Sequence, residues 1–426
     1  MKNLTIVFIL LFVSKIAHGQ RTLIYAGTLI DGISKKPVKE QTIIVEGTQI
    51  IEVKSGYVTV GPDDIVVDLK SHTVMPGWID MHVHIEGETS PDRYIKEFTQ
   101  NPADKALFST DIARRTLMAG FTTVRDAGGS GVNVSIRNAI ARGYVTGPRI
   151  FTAEKGLGVT GGHADPTNGY RADLAGDPGP KDGVVNGIAD ARKAVRQRYK
   201  NGADFIKITA TGGVLSVAKD GSGPHFKEDE IAAIVSTAND FDFHVAAHAH
   251  GDEGMQRAVR AGVKTIEHGT YMSEETMDLM IEKNAYYVPT ITAGMEVADN
   301  AKKPGYYPSV VAEKARVIGP LIQNTFARAY KKGVPIAFGT DAAVFKHGEN
   351  AREFGYMVDA GMPAMEVIIC ATSVNAKVLG QEDKFGTIRK GLLADIVAVP
   401  GDPLKDISIM MNVSFVMKEG KVYKNE

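Results

Sequence analysis

Between residues 77 and 341, short apolar runs recur along the chain, most of them separated by segments with helical periodicity. Eight of these runs read as strands: 77–84, 121–126, 149–153, 205–209, 244–248, 265–268, 286–290 and 336–341. Helical patterning falls over 190–199, 228–239, 253–261, 274–283 and 312–331. Alternation of this kind belongs to α/β architectures with parallel strands, because each crossover needs a helix to cover the sheet. Eight strands with intervening helices predict a closed (β/α)8 TIM barrel rather than an open sheet. The two ends have a different texture. Residues 22–26, 42–45, 50–53 and 65–68 are short β-type runs punctuated by Asp31-Gly32 and Glu46-Gly47. Two more, 395–399 and 414–417, are separated by Gly401-Asp402-Pro403 and followed by Glu419-Gly420. The expected fold is therefore α/β: a barrel over 76–385, with a small β-sandwich domain assembled from 20–75 and 386–426.

Composition narrows this picture. Of 426 residues, 43% are hydrophobic and 23% charged, and the formal net charge of −1 offers no electrostatic basis for binding nucleic acid. Cys370 is the single cysteine, so no intrachain disulfide can form, and a buried inert thiol is expected. The first nineteen residues stand apart. Lys2 precedes an apolar run from Leu4 to Val13, and Ala17 and Gly19 place small residues before a cut at Gln20. This reads as a signal peptide too short to span a bilayer comfortably. It predicts a secreted or periplasmic protein with no stable membrane anchor after cleavage. No glycine-rich dinucleotide or P-loop fingerprint opens a helix, and no Gly-X-Ser-X-Gly elbow supplies a nucleophile.

The chemistry gathers where the strands end. His82 and His84, Lys207, His248, His268 and Asp341 close five of the expected strands. Barrel enzymes build their sites at those C-terminal ends, so the six side chains would meet at one mouth. His82 and His84 are two apart on a strand and share a face, so both imidazoles can address one ion. Lys207 lies among aliphatic residues, where burial favours the neutral amine. A neutral amine can take up carbon dioxide as a carbamate whose two oxygens bridge two metals. A lysine paired with a carboxylate, or snorkelling outward, is the alternative. His250 shares a face with His248 and could itself be the ligand. Asp341 can ligate a metal and accept a proton. His347 follows the last strand and could line the substrate pocket. His72 and His225 read as loop or surface residues, and His244 opens a strand. Arg125 and Asp126 suit either a structural ion pair or a substrate contact.

The set resembles the amidohydrolase superfamily. The similarity is to its imidazolonepropionase-like branch of dinuclear Xaa-Pro dipeptidases, zinc-dependent arginine/lysine carboxypeptidases and ochratoxin-type amidohydrolases. Residues 76–84, 119–125, 161–163, 202–213, 246–251, 266–269, 338–341 and 415–420 carry the resemblance. It implies two divalent metal ions, zinc foremost, with His82, His84 and Asp341 on one and His248 and His268 on the other. Carbamylated Lys207 and a hydroxide would bridge them. It further implies that His163 contacts the substrate carbonyl or carboxylate and that His250 meets the carboxylate, where many relatives carry tyrosine. The stretch 164–169 departs from the carboxypeptidases and is similar to relatives that cleave ochratoxin-like N-acyl phenylalanine amides. The implied reaction is hydrolysis of an amide or peptide bond in a small molecule or short peptide, releasing a C-terminal amino acid. Asp341 would pass the proton of the hydroxide to the departing amine, and the chain would form a homo-oligomer. Imidazolonepropionase-like opening of a cyclic amide is the alternative, but those relatives lack the bridging lysine. A lactonase or esterase also remains open. A non-catalytic metal-binding barrel would be expected to have lost ligands, and none is missing.

Overall fold

The computed structural model of the chain describes residues 20–218 and 221–426; the expected signal segment, 1–19, lies outside them. Near the start run β1 (Arg21–Leu29), β2 (Val38–Glu46), β3 (Gln49–Ser55) and β4 (Ile65–Pro76). Burial along β4 explains its length. Val67 and Leu69 alternate inward between exposed neighbours, as on a half-buried strand, and then Thr73–Pro76 are buried without interruption. The second half of β4 runs between the small domain and the barrel.

The barrel follows, with β5 (Trp78–Val83), β6 (Phe121–Asp126), β7 (Arg149–Thr152), β8 (Ile206–Thr209), β9 (Val245–Ala249), β10 (Thr265–His268) and β11 (Tyr286–Val288). All pairings among these strands are parallel, in the orders β5-β6-β7 and β11-β10-β9-β8. Every residue of β5, β6 and β8 to β11 is buried. Strands covered on both faces have few positions open to water, so β9 and β11 read as near-continuous apolar runs, while the polar residues of β6, β8 and β10 must find buried partners. The chain then returns to the small domain through β12 (Ile396–Pro400), β13 (Phe415–Lys418) and β14 (Lys421–Asn425). These join the first four strands in one mixed sheet of order β14-β13-β12-β4-β1-β2-β3.

Two seams complete the ring. On one side Asp204 N donates to Thr152 O at 2.7 Å, while Leu157 exchanges bonds with Lys207 O and Thr209 N at 2.8 Å each. On the other, the expected eighth strand lies between β11 and β5. Ala337 N donates to Tyr287 O at 2.9 Å, Met81 N to Phe338 O at 3.0 Å and Asp341 N to His82 O at 2.7 Å. This stave forms isolated parallel bridges rather than a regular ladder. Asn375 makes up part of the difference: its amide donates to Ile79 O at 2.7 Å and Phe338 O at 2.8 Å, and accepts from Phe338 N at 3.1 Å.

Polar contacts fasten the small domain to the barrel. Arg149 reaches Asp395 at 2.7 Å and Glu419 at 2.6 Å, and Lys418 Nζ donates to Gly147 O at 2.8 Å. Among the described residues, no helix is long and apolar enough to cross a membrane.

Asn375→Ala should leave buried backbone groups at the β5 seam unpaired, a loss on the order of 2 kcal/mol. Thermal unfolding should show a clearly lowered midpoint. An unchanged midpoint would mean that the eighth stave holds without this side chain.

Candidate active site

The side chains at the strand ends meet above the barrel. His82 and His84 leave β5 in the same direction, as their spacing requires. His82 Nε2 lies 3.6 Å from Asp341 Oδ1 and 3.3 Å from Lys207 Nζ, and His84 Nε2 lies 3.5 Å from the same Asp341 oxygen. The His268 ring is 5.0 Å from that of His82 and 4.6 Å from that of His248. His82, His268 and Asp341 each offer a ligand atom, and the three atoms fall within 4.8 Å of one another.

The orientation of these rings is set from behind. His82 Nδ1 donates to Glu267 Oε2 at 2.7 Å, and His84 Nδ1 donates to Gly128 O at 2.6 Å. His268 Nδ1 shares a hydrogen bond with Thr290 Oγ1 at 2.7 Å. Each of these contacts occupies one ring nitrogen and leaves the other facing the cluster, the arrangement that presents a lone pair to a metal. His248 is turned the other way, with Nε2 3.2 Å from Gly212 O, so its Nδ1 is the nitrogen left over.

Electrostatics favour the same use. Burial holds His82, His248 and His268 well below the usual imidazole range, so they are neutral donors. Burial also lowers Lys207 to about 8, in line with the sequence argument for a neutral amine. Asp341 is raised to about 6, chiefly by desolvation. A dense group of buried lone pairs fits divalent cations, which would repay the burial of the carboxylate and replace water as partner of the imidazoles.

Beneath the cluster is a charge pair that the strand endings did not reveal. Glu267 accepts from Arg125 Nη2 at 2.7 Å, and both side chains are fully buried. Arg125 also donates to Met81 O at 2.7 Å and Thr265 Oγ1 at 3.1 Å. Arg125 is thus structural, but its partner is Glu267 and not the adjacent Asp126, which accepts from Asn133, Thr152 and the Ile85 amide. The available signal was a carboxylate next to His268 inside a short expected strand.

His163 and His250 border the cluster. The His163 ring stacks on His248 at 4.4 Å, its backbone N–H meets His225 Nδ1 at 3.3 Å, and its own Nδ1 is buried without a hydrogen-bond partner. Gly213 is required for this placement, since a Cβ there would lie 2.2 Å from the His163 ring. His250 Nδ1 bonds Thr270 Oγ1 at 2.7 Å, leaving its other nitrogen free of the backbone. His225, read from sequence as a loop residue, is half-buried behind His163. His244 packs flat on Phe205 below the site, with ring centroids 5.1 Å apart.

His347 is a correction. It is fully buried behind His84, with Nε2 3.1 Å from His84 O and Nδ1 3.3 Å from Thr116 Oγ1. Both ring nitrogens are engaged by the protein, so it braces the His84 loop and does not line the pocket. The residue follows the last stave in sequence, but the chain turns it outward before it can reach the mouth.

The cluster forms the floor of a cavity of about 1270 Å³ open to solvent, which His82, His84, His163, Lys207, His248 and Asp341 help to line. The family profile matches residues 73–423, the barrel and the C-terminal part of the small domain. The chain belongs to the amidohydrolase family. Its relatives include the ochratoxinase of Aspergillus niger, 30% identical over 437 residues that cover 97% of this chain and 89% of that protein. A crystal structure of a Xaa-Pro dipeptidase with methionine bound in its active site is 51% identical, covers 95% of this chain and all (100%) of that one, and superposes with a TM-score of 0.93. A prolidase in complex with N-methylphosphonate-L-proline is 31% identical, covers 96% and 100% of the two chains, and gives a TM-score of 0.85. This amidohydrolase is accordingly a metal-dependent hydrolase of amide or peptide C–N bonds, acting on a small molecule or peptide.

Glu267→Gln keeps the shape of the side chain but removes the anion that orients His82 and balances Arg125. Metal affinity should fall about 10- to 100-fold, measured by competition with a chelator. Undiminished affinity would separate Glu267 from the function of the amidohydrolase site.

Proposed function

We propose that the enzyme cleaves a dipeptide or N-acyl amino acid and releases the C-terminal residue, using two divalent cations. The observation that carries this reading is the pair His163 and His250, which both line the cavity beside the lone-pair cluster. Two neutral imidazoles at the edge of a hydrolytic centre suit a substrate carboxylate, which accepts hydrogen bonds from both. The methionine held by the 51% identical dipeptidase is a free amino acid, the class of product expected here.

His82, His84 and Asp341 would hold one cation, His248 and His268 the other, with Lys207 as a carbamate between them. Imidazole and carboxylate donors suit zinc, though they also accept manganese and cobalt. When bound, the cations supply Lewis acidity and make water a nucleophile at neutral pH. The chain's own residues supply position and proton transfer. Asp341 takes a proton from the attacking water and returns it to the leaving nitrogen. His163 and His250 orient the carboxylate so that the scissile carbonyl stands over the cluster, and orientation of this kind contributes much of the rate. Glu267 and Thr290 hold the rings of His82 and His268 still during turnover.

Lys207→Ala should lose at least one metal per chain together with activity, and short carboxylic acids should restore part of the turnover by occupying the bridge. Metal analysis of the purified variant is the measurement. Two metals and normal rates in Lys207→Ala would overturn the dinuclear bridge.

Amidation of the C-terminus of a good substrate should lower kcat/KM by roughly 100-fold or more, because a polar site built for the carboxylate is left unpaired. His250→Ala should slow hydrolysis of the free acid while barely changing the poor rate on the amide. Equal turnover of acid and amide by the unmodified enzyme would point instead to a lactam, lactone or ester.

A further inference from the structure

Beyond His163 and His250, one wall of the cavity is built from aliphatic side chains. Val214, Ala293, Val297, Ile318, Ile322 and Val344 line it, and all six are buried. Each part of the wall is tied to a residue that holds the site. Val214 follows Gly213, the glycine pressed against the His163 ring. Ala293 and Val297 are one turn apart on the helix Ile291–Asn300, which begins directly after Thr290, the partner of His268. Ile318 and Ile322 are one turn apart on the helix Ser309–Lys332. Three residues beyond Ile322, Thr325 donates to Thr270 O at 2.7 Å, and Thr270 is the residue that fixes His250. The wall therefore adjoins the edge of the site occupied by His163 and His250.

Lys314 secures it. Its ammonium donates to the carbonyls of Gly213, Ser216 and Ala218 at 2.8, 2.9 and 2.9 Å, holding the segment with Val214 against the long helix.

We infer that this wall is the subsite for the side chain of the released amino acid, and that it selects aliphatic and aromatic residues over basic and acidic ones. The inference rests on the proposed carboxylate-holding role of His163 and His250. A substrate carboxylate there is bonded to the same carbon as the side chain, so the side chain must lie within one residue's reach of those rings. The wall offers it apolar contact and no charged partner of its own. An ammonium or carboxylate placed against six aliphatic groups would lose its hydration without recovering it. Apolar side chains gain from the same burial, by about 0.8 kcal/mol per methylene.

The experiment compares kcat/KM of the metal-loaded enzyme for glycyl dipeptides ending in alanine, leucine, methionine, phenylalanine, lysine or glutamate, each as free acid and as C-terminal amide. Leucine, methionine and phenylalanine should exceed lysine and glutamate by roughly 100-fold, within the discrimination an apolar pocket can reach. Ile322→Glu should shift the ratio of lysine to leucine substrates toward lysine by about tenfold or more. Ala293→Leu, which fills the wall without adding charge, should depress phenylalanine far more than alanine as leaving residue. Melting curves and metal content check that both variants fold and load. A retained acid preference with a flat or lysine-first ranking would overturn the subsite and leave the carboxylate reading standing. Equal turnover of acids and amides would overturn both.

Discussion

The active end of this barrel depends on a buried anion, Glu267, held between Arg125 below and His82 above. Charges removed from water are costly unless their hydrogen bonds are complete. Glu267 meets that condition: it accepts from Arg125, from Thr265 Oγ1 and from the His82 ring. Arg125 in turn bonds the backbone of β5 through Met81 O. One ion pair thus ties β5, β6 and β10 together and fixes which nitrogen of His82 faces the cavity. The imidazoles above it are left neutral by desolvation, and their lone pairs become the resource on which metal binding draws.

Placement of those lone pairs also needs departures from regular strand geometry. His268, Thr290 and Asp341 all adopt positive φ, at 73°, 53° and 59°, conformations that cost non-glycine residues on the order of 1 kcal/mol or more each. The three sit where strands or staves end and the chain turns over the mouth. At His268 the twist lets Glu267 and His268, neighbours in sequence, both serve the site instead of pointing to opposite faces. At Asp341 it bends the eighth stave, whose pairing with β5 resumes at Ala342, while hydrogen bonds from Asn375 secure the stave at Phe338. The ring contacts and backbone seams around these residues supply the stability that keeps such conformations in place.

The cavity above this floor is assembled from loops and from the two helices Ile291–Asn300 and Ser309–Lys332. On the proposed subsite, this division separates reaction from selection. The strand ends carry the metal-competent groups, while the apolar wall belongs to loops and helices packed around them. Relatives that share the fold while being named for different substrates, a Xaa-Pro dipeptidase and an ochratoxinase among them, are consistent with that separation.

Much of the barrel and its metal-competent residues could be read from the chain because the evidence was local. Several buried strands form apolar runs, and the metal-competent groups are polar residues within or at the end of them, as at His82, Lys207 and His268. The sheet from both termini was legible for a similar reason, since turn residues bracket its strands. The sequence did not reveal contacts between distant residues. His82 and Glu267 are 185 positions apart, and Arg125 and Glu267 are 142 apart. Nothing local marks Asn375 as a clamp on β5, or distinguishes His347, which braces His84, from a histidine that lines a pocket. Sequence periodicity records which face of an element is buried; which partner meets it there is decided only when the barrel closes and every buried polar group must find its hydrogen bond.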